Sequence, residues 1–193
     1  MKVAVSYPPI DSPKGTPLLA QNRQFQYFNA PTYIYPMVPA YAATMLKQAG
    51  YNVVWDDAIA ENKQFKPWLE ELKQSDIDVI AIESKAPVIK RHWQIIDRIK
   101  DEQPDIITVL MGDHVTALPE ESLHNSNVDY VITGGNFDQS LVNLCDHLES
   151  SKSLGPGVFY RDGSELKTTG HFEQKGDLHE LPMIDRDLTK WQL

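Results

Sequence analysis

Cysteine is almost missing from this chain. The single Cys145 has no partner for an intramolecular disulfide, and no cysteine cluster is present to hold zinc or iron–sulfur. Long apolar runs are missing too. No stretch approaches the roughly 18 residues of a membrane span, so no membrane partner is expected. The opening Met1-Lys2-Val3-Ala4-Val5-Ser6 lacks the apolar core of a secretion signal, which makes a cytoplasmic location the expectation. Positive charge is also short. There are 18 Lys and Arg against 27 Asp and Glu, a formal charge of −9. A polyanion binder carries the opposite balance, so nucleic acid is not the expected partner.

Several catalytic and nucleotide-binding signatures are absent as well. No GxGxxG follows a strand and no GxxxxGK[ST] occurs, which removes the dinucleotide fingerprint and the phosphate loop. A phospho-receiver needs carboxylates after its first strand and an aspartate ending its third, and here those places hold Ser6-Tyr7 and Ser84. There is no GxSxG elbow and no HExxH metal pair. Asp56-Asp57 ends the second strand, where a ribose contact is common, but without the glycine loop that placement says little. Nothing assembles a nucleophile, a base and an oxyanion hole.

What is present is ordered. Hydrophobic residues make up 41% of the 193, an ordinary globular share, and the length suits one domain with an appendage. Short apolar runs at Lys2–Ser6, Asn52–Asp56, Asp78–Ser84, Ile106–Met111 and Tyr130–Thr133 read as strands buried on both faces. Between them lie helical segments. One runs from Pro36 to Gly50 with Val38, Ala42, Met45, Leu46 and Ala49 as its apolar stripe. Others are Lys66–Gln74, Val88–Glu102, a short turn at Pro119–Asn125 carrying Leu118 and Leu123, and Gln139–Glu149. This alternation predicts an α/β fold, a flavodoxin-like (Rossmann-like) doubly wound parallel sheet of five strands in the order 2-1-3-4-5. Residues 1–150 form that domain. Residues 151–193 read as a hairpin around Asp162-Gly163, then an irregular polar connector, an extension of hairpin and linker type.

Ligands of such sheets sit at the carboxyl ends of the strands, so the loops there are the candidates. The first, Tyr7 to Tyr35, carries Pro8-Pro9 and several aromatics and is long enough to suggest a ligand or partner role. The third-strand loop offers Ser84 and Lys85, whose ammonium either meets an anionic ligand edge or points to water. The fourth-strand loop, Gly112-Asp113-His114-Val115-Thr116, combines close backbone approach with polar side chains, some of which serve plain helix capping. His114 is a ligand or a hydrogen-bonded histidine. Gly134-Gly135-Asn136 is a backbone-exposing turn or a simple helix entry.

Together these loops resemble a known family. Val5-Ser6-Tyr7-Pro8-Pro9, the Tyr35-Pro36-Met37-Val38-Pro39-Ala40-Tyr41 helix start and Ala49-Gly50-Tyr51-Asn52-Val53 resemble the N-terminal cobalamin-binding domain of cobalamin-dependent radical SAM enzymes. Met111-Gly112-Asp113-His114-Val115-Thr116-Ala117-Leu118-Pro119-Glu120-Glu121 is similar to that family's GGxHxTxxPEE segment. Gly157-Val158-Phe159-Tyr160-Arg161-Asp162-Gly163 and Asp177-Leu178-His179-Glu180-Leu181-Pro182 resemble its linker toward a radical SAM barrel. The resemblance implies cobalamin as cofactor, with the corrin over the strand ends and Pro8, Pro9, Ser84, Lys85, Gly112, His114, Thr116, Gly134, Gly135 and Asn136 around it. It implies a radical SAM domain as partner, in cis or in trans. SAM and a 4Fe-4S cluster then belong to that domain, because no CxxxCxxC occurs here. The parent protein is expected to be a methyltransferase or cyclase, and this chain not catalytic by itself. Two departures stand out: Gly134-Gly135-Asn136-Phe137 replaces the family's GEGE, and no DxHxxG supplies a histidine to cobalt. A competing reading is a doubly wound domain that has lost its cofactor and serves as an interaction or substrate-gating module. An enzyme built on Asp56 or His114 lacks a supporting constellation.

Overall fold

The computed structural model describes residues 1–18, 26–29, 35–173, 179 and 181–192. Their strands and helices, in chain order, are β1 (Lys2–Tyr7), β2 (Thr16–Leu18), β3 (Gln26–Phe28), α1 (Met37–Gln48), β4 (Asn52–Asp57), α2 (Phe65–Lys73), β5 (Val79–Glu83), α3 (Ile89–Glu102), β6 (Ile107–Met111), α4 (Asp113–Ala117), α5 (Pro119–Asn125), β7 (Tyr130–Ile132), α6 (Phe137–Ser150), β8 (Val158–Asp162) and β9 (Glu165–Thr168).

The main sheet runs β4-β1-β5-β6-β7-β8-β9. Its first five members are parallel, and renumbered as sequence strands they give the expected order 2-1-3-4-5. Strands this apolar bury both faces, and β5 is buried at every position. Each face has its own core. On one side α1 and α6 cover Val3, Val5, Val79, Ala81 and Val109. On the other, α2, α3 and α5 cover Ala4, Ile80, Ile82 and Leu110. Even and odd residues of each strand therefore serve opposite layers, as the pleat demands.

Some local expectations shift. In α1 the buried residues are Pro39, Ala40, Ala42, Ala43, Thr44 and Leu46, while Ala49 is exposed past the helix end. Leu118 is 52% exposed, because it sits at the junction of α4 and α5 rather than on the inward face of a single helix. The hairpin also does more than extend a finished sheet. β8 pairs antiparallel with β7, through Tyr130↔Tyr160, Val131↔Phe159 and Ile132↔Val158, so the sheet continues past residue 150. Within the long loop after β1, β2 and β3 form a separate two-stranded ribbon. Residues 19–25 and 30–34 of that loop lie outside the described residues, as do Asp177, Leu178 and Glu180 of the tail.

The described end of the tail lies back on the domain. The Asp185 backbone N–H donates to Thr44 Oγ1 at 3.0 Å and Lys47 pairs with Asp185 at 2.5 Å. Thr189 is buried and hydrogen-bonds Tyr35, and Lys190 pairs with Glu61 beyond β4.

Candidate functional site

The strand order reverses between β1 and β5, so the loops after β1, β5, β6 and β7 share one edge of the sheet. Three of them are tied together by short contacts. The Ser84 N–H, just past β5, donates to the Met111 carbonyl at 2.8 Å, which carries the β5–β6 ladder one residue beyond the end of β5. Gly112 follows with φ +110, and a Cβ there would fall 2.5 Å from the Ser84 carbonyl oxygen. Only glycine lets the two loops close this tightly. Thr116 Oγ1 donates to the Gly112 carbonyl at 2.9 Å and accepts the Gly134 N–H at 3.0 Å, linking the β6 loop to the β7 loop.

Lys85 does not point to water. Its side chain is 7% exposed, and its ammonium lies 2.8 Å from Asp113 Oδ2 and 3.9 Å from Glu83 Oε1. Asp113 is 75% exposed, so the pair reaches from the buried edge to its surface. Glu83, the last residue of β5, accepts a hydrogen bond from the Tyr7 hydroxyl. Burial pushes the Glu83 carboxyl above the usual carboxylate range and the Tyr7 phenol far above its ordinary value, with the Glu83 charge adding to the latter. Sequence reasoning misses this Tyr7–Glu83–Lys85–Asp113 line. A glutamate closing an otherwise apolar strand is the one signal that points to it.

Beneath Ser84 stands a histidine that sequence reasoning also passes over. His92 on α3 is fully buried, its Nδ1 is 2.8 Å from Ser84 Oγ, and its Nε2 has no hydrogen-bond partner among the described residues. Burial lowers its pKa to about 3, so the ring is neutral. His114 is held differently. Its Nε2 lies 2.8 Å from Glu121 Oε2, and its ring packs T-shaped with Trp93, ring centroids 6.3 Å apart. Pro8 and Pro9 follow β1, and Pro9 lines a cleft of about 210 Å³ with Phe65, Arg91 and Ile95.

The loop after β7 is the open part. Among the described residues, nothing lies within 4 Å of the place a Gly135 Cβ would take. Gly134 differs: at φ +94, its would-be Cβ position lies 2.3 Å from the ring of Phe172. Phe172 also abuts Gly157, at φ +86, through its Cβ and Cα, so two glycines make room for one residue of the tail. Asn136 is half-buried and leads into α6.

Asp56 and Asp57 serve the fold. Asp56 Oδ2 accepts from Ser6 Oγ at 2.5 Å and from Trp68 Nε1 at 2.8 Å, and Asp57 Oδ1 accepts the Ala60 N–H at 3.0 Å. Burial raises Asp57 to about 6. Among the described residues, no helix is long and apolar enough to cross a membrane.

An edge of hydroxyls, backbone amides and glycine, set at the switch point of a doubly wound sheet, defines a ligand-binding module. The model of the B12 binding domain matches residues 28–137, more than half of the chain, and the chain belongs to that family. It is 21% identical over 155 residues to an uncharacterized methyltransferase of Pyrococcus horikoshii, covering 79% of this chain and 34% of that protein. It is 26% identical over 140 residues to the anaerobic magnesium-protoporphyrin IX monomethyl ester cyclase of Cereibacter sphaeroides, covering 69% of this chain and 23% of the cyclase. Among solved structures it is similar in fold to the radical S-adenosylmethionine methyltransferase TsrM from Kitasatospora setae, with cobalamin and a [4Fe-4S] cluster bound. There the TM-score is 0.66 at 15% identity, over 94% of this chain and 30% of that one. The cobalamin-dependent S-adenosylmethionine radical enzyme OxsB, with aqua-cobalamin bound, gives a TM-score of 0.66 at 16% identity, over 90% and 22% of the two chains. The chain thus spans about a third or less of each of these proteins.

Proposed function

We propose that this chain is the cobalamin-binding module of a radical SAM enzyme of methyltransferase or cyclase type, and that it does not turn over substrate by itself. The observation that carries the reading is the open glycine rim. Gly135 leaves its surroundings clear while Ser84, Gly112, Thr116 and Gly134 are locked together beside it. The donor set suits cobalamin, whose periphery is mostly uncharged carboxamide. The Thr116 hydroxyl, the Asn136 side chain and the backbone of Gly134–Asn136 offer matching donors and acceptors. A metal ion entering on its own has no ligand set here: among the described residues no three His, Cys, Asp or Glu converge. A cobalt carried in a macrocycle that brings its own nitrogens needs none.

When bound, cobalamin supplies a cobalt centre able to carry a methyl group. The chain's own residues hold and orient it. Gly135 and Asn136 offer backbone and amide contacts, and Thr116 keeps Gly134 in place. Lys85 and Asp113 set the charge at the edge, and Ser84 is fixed from below by His92. SAM, the 4Fe-4S cluster and the radical SAM domain complete the reaction from outside these residues.

The test is direct. The purified chain mixed with hydroxocobalamin and desalted keeps the chromophore, and Gly135→Val lowers its retention about tenfold or more. Because the added side chain meets open space, thermal stability stays near that of the parent. A colourless protein after desalting sinks the reading.

One observation favours a second reading, the cofactor-less gating module: the ring of Phe172 already lies on Gly134. That reading predicts no chromophore and no effect of Gly135→Val.

A further inference from the structure

A cleft of about 270 Å³ opens beside the rim, between α6 and the start of β8, and of its lining the sequence pointed to Asn136 alone. Asn136 joins it to the Gly134–Asn136 loop, Gln139 and Asn143 continue along the exposed face of α6, and Phe172 forms the opposite wall. Its volume is close to the lower end, about 300 Å³, of pockets that hold small ligands.

The chemistry of the lining is specific. Three carboxamides converge on it, with Ser140 among them, and no lysine or arginine among the described residues. Gln139 Nε2 donates to Asn143 Oδ1 at 3.3 Å, a bond that engages neither the Gln139 carbonyl, an acceptor, nor the Asn143 NH₂, a donor. Asn143 Nδ2 rests against Gly155, where a Cβ would stand only 3.3 Å away, so a larger residue at 155 would shift that amide. An acceptor next to a donor on adjacent turns matches a group that presents N–H beside C=O, the pairing by which side-chain amides read base edges. Phe172, its ring against Gly134 and its Cβ against Gly157, supplies a flat apolar face on which a planar group can stack. Glu173 also lines the cleft.

We propose that this cleft is a recognition pocket for a planar, uncharged amide edge stacked on Phe172 and bonded by Gln139 and Asn143. Two sources supply that chemistry: a free nucleobase, or a carboxamide side chain of the cobalamin itself. Only the second rests on the proposed function.

The experiment follows the side-chain NH₂ signals of Gln139 and Asn143, which lie outside the proposed cobalamin rim, in the nitrogen-15-labelled chain. One arm adds uridine and inosine, and the other adds hydroxocobalamin. Movement of these signals with a nucleoside assigns the pocket to a free base, and movement with hydroxocobalamin alone assigns it to the cofactor's amides. The double variant Gln139→Ala, Asn143→Ala removes one exposed and one half-buried polar side chain of α6 and raises helix propensity, so it folds. It weakens the responding probe about tenfold or more. Signals that stay fixed in both arms overturn the proposal, as does a double variant that binds as tightly as the parent. If nucleosides shift the signals while the desalted chain is colourless, the cobalamin reading falls and the pocket stands.

Discussion

Ser84 and Gly112 touch backbone to backbone, with the Ser84 carbonyl oxygen 2.5 Å from where a Gly112 Cβ would stand and the Ser84 nitrogen 3.2 Å from it. The contact joins the loops after β5 and β6 at the centre of the rim.

Gly112→Ala therefore strains a left-handed backbone and forces the loops apart at once. The expected cost is about 2–3 kcal/mol. For a chain of this size that is a fall of roughly 4–12 °C in melting temperature. Differential scanning calorimetry checks it, and an unchanged melting temperature would show that the two loops are free to separate.

Asp57 gives a pH signature. Its folded value of about 6 lies above the ordinary 3.8, so between those pH values the native state holds a proton that the unfolded chain has released. The contribution of Asp57 is thus intact at low pH and is lost as pH rises from 3.8 through about 6. Asp57→Asn keeps the acceptor for the Ala60 N–H and removes the titration. The variant gains stability over the parent across that window, by at most about 3 kcal/mol at neutral pH. Urea unfolding at pH 4, 5, 6 and 7 reads the difference, and a constant difference would remove Asp57 as its source.

Glu83 separates charge from contact. Burial disfavours its ionised form, so Glu83→Gln keeps an acceptor for Tyr7 and leaves stability at neutral pH equal or higher. Glu83→Ala strands the buried Tyr7 hydroxyl and opens a cavity, at a cost of about 2–4 kcal/mol. Chemical denaturation of the pair at pH 7 decides it. Equal losses in both variants would mean that the charge itself is required.

Much of this fold was legible because strand runs such as Val79–Glu83 and Ile107–Met111 are apolar nearly throughout, and a run that short and that apolar fits a strand covered on both faces. Alternation with helices implied a parallel sheet, and the order 2-1-3-4-5 was one that five such strands suit without the sequence dictating it. Contacts joining residues far apart in the chain left no mark in the sequence. Lys85 and Asp113 are 28 residues apart, and nothing local tells a lysine after a strand that its partner lies on the next loop. Phe172 against Gly134 is the same case, an aromatic in a polar tail whose socket is two glycines elsewhere. His92 was hidden by its own helix, since it sits one residue before the apolar position Trp93 and reads as surface. The β2–β3 ribbon is too short, at three residues a strand, for any periodicity to register.

The β8–β9 hairpin has a consequence for how molecules of this chain meet one another. By pairing with β7 it moves the open border of the sheet outward to β9, where Glu165 and Lys167 are exposed and Lys167 is ion-paired with Asp162. A bare β7, apolar and unpaired along one side, would be a template for strands of a second molecule. A four-residue border carrying charges of both signs is a poorer template.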